Sequence, residues 1–193
     1  MKRRTAALFA ALCALGFADS WKAPQARIFA SANGQYAIKV VPPPGKFEGK
    51  ARAVLFSLEA GGKEARLWSA DLVNIPATVW VSDTGRAVGL DTYGRVGYSH
   101  AVVVYGDIGE AKADYKLEEL LTPHEIRDVP TSVSSRWWSE SRTLSHEPDG
   151  EWTRTQVGAT QVNRPGQDIL RIGLKSGPDI LIDLESGKAS RAP

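Results

Sequence analysis

The three histidines of this sequence most invite a chemical role, because imidazole serves as a metal ligand and as a general base. His100, His124 and His146 are 24 and 22 residues apart, a spacing that matches no zinc-binding pattern. The single cysteine, Cys13, lies in an N-terminal segment that we expect to be removed. A metal site could then draw only on His and carboxylate ligands. We predict neither a metal site nor a cofactor.

Ser99 directly precedes His100, which suggests a nucleophile beside its base. Adjacent residues of a strand point to opposite faces, so the two side chains cannot easily form a hydrogen bond with each other. The G-x-S-x-G motif that exposes a nucleophilic serine does not occur. We interpret Ser99 and His100 as the start of a strand and predict no catalytic residue.

Paired carboxylates can carry out glycoside hydrolysis. The obvious pairs are Glu118 with Glu119 and Asp183 with Glu185. The first two face different sides of a helix, and the second two lie on one side of a predicted edge strand, so solvated charge explains both pairs more simply. Two carboxylates that are distant in the sequence can still come together in the fold. The alternative function is therefore a hydrolase acting on a cell-envelope or extracellular polymer.

The segment from Asp91 to His100 is the most suggestive surface of the sequence. Asp91, Tyr93, Arg95, Tyr98 and His100 are concentrated there among two glycines. Loops on β scaffolds often carry function, so we expect these five side chains to bind a ligand. The alternative is structural: the tyrosines fill a gap between sheets, and Asp91 ties the loop to the backbone.

Trp137 and Trp138 form the second candidate binding surface. In a strand the two side chains face opposite ways, so one can lie in the core while the other lines a groove or an interface. An exposed tryptophan can stack on a sugar or anchor a partner protein.

The elements that must position these residues are mostly strands. Apolar residues alternate or cluster in short runs that end at Gly, Pro and Asp clusters. These runs are 36–41, 53–58, 77–81, 86–90, 101–105, 169–174 and 180–184. One region is typical of helix: residues 117–121, followed by Thr122-Pro123-His124-Glu125, which has the form of a capping box. The sequence therefore predicts an all-β fold with one short helical insertion.

Internal similarity subdivides the strands. Residues 29–35 align with 80–86 at an offset of 51, and 54–56 with 103–105 at an offset of 49. Residues 181–188 resemble 55–61, which marks the end of a third copy. We predict three antiparallel sheet units at about residues 26–72, 76–122 and 133–188.

The S-x-x-G-x turn and the D-L-x-S-G-K strand ending resemble the blades of β-propeller repeat proteins. The general layout is similar to that of small exported bacterial proteins with propeller-like repeats. This resemblance implies a fold and a compartment, but no substrate. Propellers typically close with about 4 to 8 blades, so three units imply an incomplete or open propeller whose sheet edges favour self-association. The alternative fold is a two-sheet β-sandwich.

The N-terminus has the three parts of a signal peptide. Lys2, Arg3 and Arg4 precede an apolar run that ends in small residues, with cleavage expected after Ala18 or Ser20. We predict a signal peptide at residues 1–20, a single β-rich domain at 21–193, and a secreted or periplasmic location without membrane insertion.

Removal of the signal peptide changes the charge of the protein. The chain has 24 Lys and Arg and 22 Asp and Glu, and three of the basic residues lie in the predicted signal. From Asp19 onward, the remaining 21 basic and 22 acidic residues nearly cancel, which argues against nucleic acid as a partner. We expect an exported, non-catalytic module that binds a protein or a surface glycan.

Overall fold

The computed structural model of the chain describes residues 21–45, 47–59, 62–144, 154–157, 159–164 and 167–193. The predicted signal peptide and His146 lie outside these residues. None of the helices in this part of the chain has the length and apolar character that a membrane crossing requires.

Most of the chain forms three antiparallel sheets, each with its strands in sequence order. Sheet 1 consists of β1 (Arg27–Ala30), β2 (Tyr36–Val41), β3 (Arg52–Leu58) and β4 (Glu64–Asp71). Sheet 2 consists of β5 (Pro76–Val81), β6 (Ala87–Thr92), β7 (Val102–Tyr105) and β8 (Ala111–Tyr115). Sheet 3 consists of β11 (Ala159–Arg164), β12 (Gln167–Ile172), β13 (Ile180–Asp183) and β14 (Ala189–Arg191).

The remaining elements lie between sheets 2 and 3 in the chain. They are the short helices α1 (Leu117–Leu120) and α2 (Pro123–Asp128), and a two-stranded ladder of β9 (Ser141–Leu144) and β10 (Arg154–Val157). The predicted capping box is present, because the Thr122 hydroxyl accepts a hydrogen bond from the Glu125 N–H while the Glu125 carboxylate accepts one from the Thr122 N–H.

The third strand of sheet 2, β7, is buried on both faces because it carries apolar residues at every position. In β7, Val103 and Tyr105 pack against sheet 1, while Val102 and Val104 pack against sheet 3 and the helices. The prediction of three consecutive antiparallel units is therefore confirmed. The two-sheet sandwich is wrong, since each sheet of a sandwich would have one free face.

The internal similarity corresponds to repeated geometry. The aligned turns of sheets 1 and 2 have the same backbone hydrogen bond, from Gly34 N–H to Ser31 O and from Gly85 N–H to Ser82 O, each 3.1 Å long. The β3–β4 and β7–β8 ladders each contain a bulge, opposite Leu55 and Phe56 and, 49 residues later, opposite the aligned pair Val104 and Tyr105. The offsets read from the sequence therefore describe equivalent positions.

Candidate functional site

The connections at one end of sheets 1 and 2 enclose an open cleft of about 860 Å³. In an antiparallel meander alternate turns lie at the same end of the sheet, which brings the β2–β3, β4–β5 and β6–β7 connections together. The cleft is lined by residues 47–50, 73–75, 92–95 and 99–100 of these connections, together with Trp21 and Ser134.

Tyr93 stands at the centre of the aromatic side of this cleft. Its ring meets Trp21 edge-on, with centroids 5.0 Å apart, and stacks on Phe47 at 6.3 Å. The Tyr93 hydroxyl donates a 2.8 Å hydrogen bond to Lys22 O, and the Trp21 indole N–H donates one of 3.2 Å to the Ser134 hydroxyl. Two of the three rings are thus fixed by polar contacts as well as by packing, which gives the cleft a preformed apolar surface.

Asn74 lies opposite this surface and is 4 % exposed. Its amide Nδ2 donates to Asp91 O at 3.2 Å and to the Thr92 hydroxyl at 2.9 Å. Its Oδ1 is buried and has no hydrogen-bond partner among the described residues. A buried acceptor without a partner costs about 1–3 kcal/mol, so Asn74 is held in place at the cleft at a cost to stability.

Asp91 organises the loop that follows β6. Its side chain is 3 % exposed, and Oδ1 accepts hydrogen bonds from the Gly97 N–H at 2.8 Å and from the Trp138 indole N–H at 3.0 Å. Burial raises the pKa of this carboxyl to about 6, although the two hydrogen bonds favour the charged form. The φ of Asp91 is 58°, in the left-handed region.

The loop fits closely over its neighbours at Gly97. This residue has a φ of 72°, and an added Cβ would lie 2.7 Å from the Arg136 carbonyl oxygen and 3.2 Å from the Trp138 ring. Nearby, the Arg136 guanidinium lies 4.6 Å from the centre of the Tyr98 ring, and that of Arg95 lies 6.0 Å from it on the cleft side. The loop therefore packs closely against residues 136–138.

His100 closes the loop just before β7, with a φ of 51°. Its Nδ1 lies 2.8 Å from the nearer carboxylate oxygen of Asp114 in β8, and the ring lines the cleft. Neither side chain is fully buried. The other ring nitrogen of His100, Nε2, forms no hydrogen bond among the described contacts.

The structure separates the seven predicted binding residues into two groups. Tyr93, Arg95 and His100 line the cleft. The other four do not line it. Asp91 and Trp138 are buried and joined by a hydrogen bond. Tyr98 packs between the guanidinium groups of Arg95 and Arg136, and Trp137 is 43 % exposed but is not part of the cleft lining.

Several lining residues were missed by the sequence reasoning. Trp21 and Phe47 carry aromatic surface, Asn74 carries the free acceptor, and Glu48 and Lys50 carry charge. No regular sequence interval links these residues to the loop at 91–100. The aromatic types of Trp21 and Phe47 were the one signal that the sequence offered.

A second, smaller cleft of about 320 Å³ adjoins the first and shares Ile75 and Tyr93 with it. Lys22 and Arg27 supply its charges, and no Asp or Glu is among its described lining residues. The Arg27 guanidinium donates to the carbonyl oxygens of Pro76 and Ala77 across the junction of sheets 1 and 2, and burial lowers its pKa.

The chain matches no protein-family model. No curated protein and no solved structure matches it either.

Proposed function

We propose that this protein is an exported, non-catalytic binding module, and that it binds a surface saccharide in the cleft around Tyr93. Export rests on the N-terminal sequence. The observation that carries the binding site is the aromatic surface that Tyr93 forms with Trp21 and Phe47, in a cleft whose lining also includes the polar residues Asn74, Ser99 and His100.

A saccharide suits both sides of this cleft. The C–H face of a sugar ring is apolar and packs on an aromatic ring, while its hydroxyl groups donate and accept hydrogen bonds at the edge. The Ser99 hydroxyl and the His100 ring lie in the same lining and would contact sugar hydroxyls.

Binding is better supported than hydrolysis. Glycoside hydrolysis commonly uses two carboxyl groups that flank the scissile bond. Glu48 is the one carboxylate among the described residues that line the cleft. Release of reducing sugar from a bound polysaccharide would favour the hydrolase instead.

The architecture supports the propeller likeness at the level of the unit. Each of the three sheets is a four-stranded meander stacked face to face on the next, as the blades of a propeller are. We propose that the sheets are blades of an open propeller, whose end carries the binding cleft.

The test is a glycan array probed with the wild-type protein, Tyr93→Ala and Trp137→Ala. We expect wild type and Trp137→Ala to bind the same saccharides, and Tyr93→Ala to bind at least tenfold more weakly, a loss of about 1.4 kcal/mol. Circular dichroism and the unfolding midpoint show whether the Tyr93 variant is folded, and Trp21→Ala repeats the test from the neighbouring ring. Loss of binding in Trp137→Ala alone would place the site elsewhere.

A further inference from the structure

The two clefts that meet at Tyr93 are basic, although the chain beyond its predicted signal is nearly neutral. Lys50 and Arg95 line the larger cleft, and Lys22 and Arg27 line the smaller one. Glu48 is the only acidic residue among the described lining residues of both. Four cations against one anion give this end of the molecule a local positive potential.

Two of these cations, Lys50 and Arg95, are available to a ligand. Neither Lys50 nor Arg95 has an ion-pair partner among the described residues, in contrast to Arg86 and Arg136, which bind Asp107 and Glu118 elsewhere on the surface. The guanidinium of Arg95 has the Tyr98 ring 6.0 Å from it. Its N–H groups can therefore form the paired hydrogen bonds that match a carboxylate.

The two adjoining clefts favour a ligand that is longer than one sugar ring. The clefts, of about 860 and 320 Å³, share Tyr93 and Ile75, so a chain that crosses the Tyr93 ring would have cations on both sides of it. A polymer with an acid group on successive units could place carboxylates in both clefts.

We propose that the ligand of this site is an acidic polysaccharide whose uronate carboxylates are bound by Arg95 and Lys50 in the larger cleft and attracted by Lys22 and Arg27 in the smaller one. This inference rests on the proposed function and specifies its substrate class.

The experiment measures binding to a panel of uronate polysaccharides, namely polygalacturonate, alginate and hyaluronate, each beside its carboxyl-reduced counterpart, at low and at physiological salt. We expect at least one acidic polymer to bind at least tenfold more tightly than its reduced form, with an affinity that falls as salt rises. The double variant Arg95→Gln/Lys50→Gln should lose at least tenfold toward the acidic polymer. The control Lys39→Gln, on the exposed outer face of β2, should lose nothing.

The outcomes separate the two proposals. Equal binding of an acidic polymer and its reduced form, with Tyr93→Ala weakening both, overturns the acidic specificity and leaves saccharide binding intact. Binding of single-stranded DNA or heparin more tightly than every uronate polymer also overturns it, since any polyanion would then suffice. Absence of binding both to this panel and to the glycan array overturns both proposals.

Discussion

Replacement of Asp91 by asparagine should stabilise the protein at neutral pH. The carboxyl is buried and its pKa is raised from 3.8 to about 6, which corresponds to about 3 kcal/mol in favour of its neutral form. Asparagine is neutral at every pH, its Oδ1 can accept from Gly97 and Trp138, and it tolerates the positive φ of this position. The amide N–H groups of the asparagine need hydrogen-bond partners, and this requirement reduces the gain in stability by about 1 kcal/mol. We expect a net gain of about 1–2 kcal/mol at pH 7.5.

The stabilisation by Asp91→Asn should depend on pH in a definite direction. Because the pKa is higher in the folded protein than in the unfolded chain, the folded state binds the proton more tightly, and the contribution of Asp91 to stability increases as the pH falls from about 7 to about 4. The stability gap between Asp91→Asn and wild type should therefore shrink by about 2 kcal/mol between pH 7.5 and pH 4.5. Other groups titrate in both proteins and cancel in the difference.

Urea unfolding of both proteins at the two pH values measures this gap. Asp71→Asn serves as the control, because Asp71 is exposed and pairs with Arg52 on the surface, so its effect should be small at both pH values. A variant at position 91 that loses more than about 1 kcal/mol at pH 7.5, with a gap that does not change with pH, would refute the reasoning that burial dominates this carboxyl.

Three further predictions concern the scaffold. Gly85→Ala should cost about 1–3 kcal/mol of unfolding free energy, because its Cβ would lie 2.7 Å from the Tyr36 ring. Gly34→Ala, at the equivalent turn of sheet 1 but in open space, should cost only about 1 kcal/mol. Equal losses of the two variants in urea unfolding would contradict the close contact at Gly85. Thr122→Ala should cost about 1 kcal/mol by removing the cap of α2, and an unchanged unfolding midpoint would show that the cap contributes nothing. Self-association, predicted from the open sheets, should appear in sedimentation velocity as a concentration-dependent rise in mass, and a monomer at every concentration would contradict it.

The fold was predictable to the extent that it depends on local pattern. Alternation located the strands, and the offset of 49 residues aligned two positions that both lie opposite a bulge. The capping box at Thr122 was legible because its residues are neighbours in sequence. The burial of β7 on both faces followed from its uninterrupted apolar run.

The site was less predictable because distant segments form it. The loop at 91–100 was identified by its composition, but its partners Trp21, Phe47 and Asn74 come from other connections of the meander. The sequence also hid the local charge: the basic and acidic residues nearly cancel over the domain, and only the fold places Lys50 beside Arg95. For the Trp pair, the sequence suggested that one ring could lie in the core if the pair were in a strand. The buried ring is that of Trp138, although residues 137 and 138 lie outside the strands, between isolated bridges at Arg136 and Ser139.

The account depends most on the claim that the cleft around Tyr93 binds a saccharide. Titration of isotope-labelled protein with the tightest-binding polysaccharide of the array, followed by two-dimensional NMR of its N–H groups, tests this claim directly. The account predicts that the Trp21 indole N–H, the Asn74 side-chain amide and the backbone N–H groups of residues 92–95 shift together, while the Trp137 and Trp138 indoles shift little. Shifts confined to Trp137, or spread over the free face of sheet 1, would contradict it.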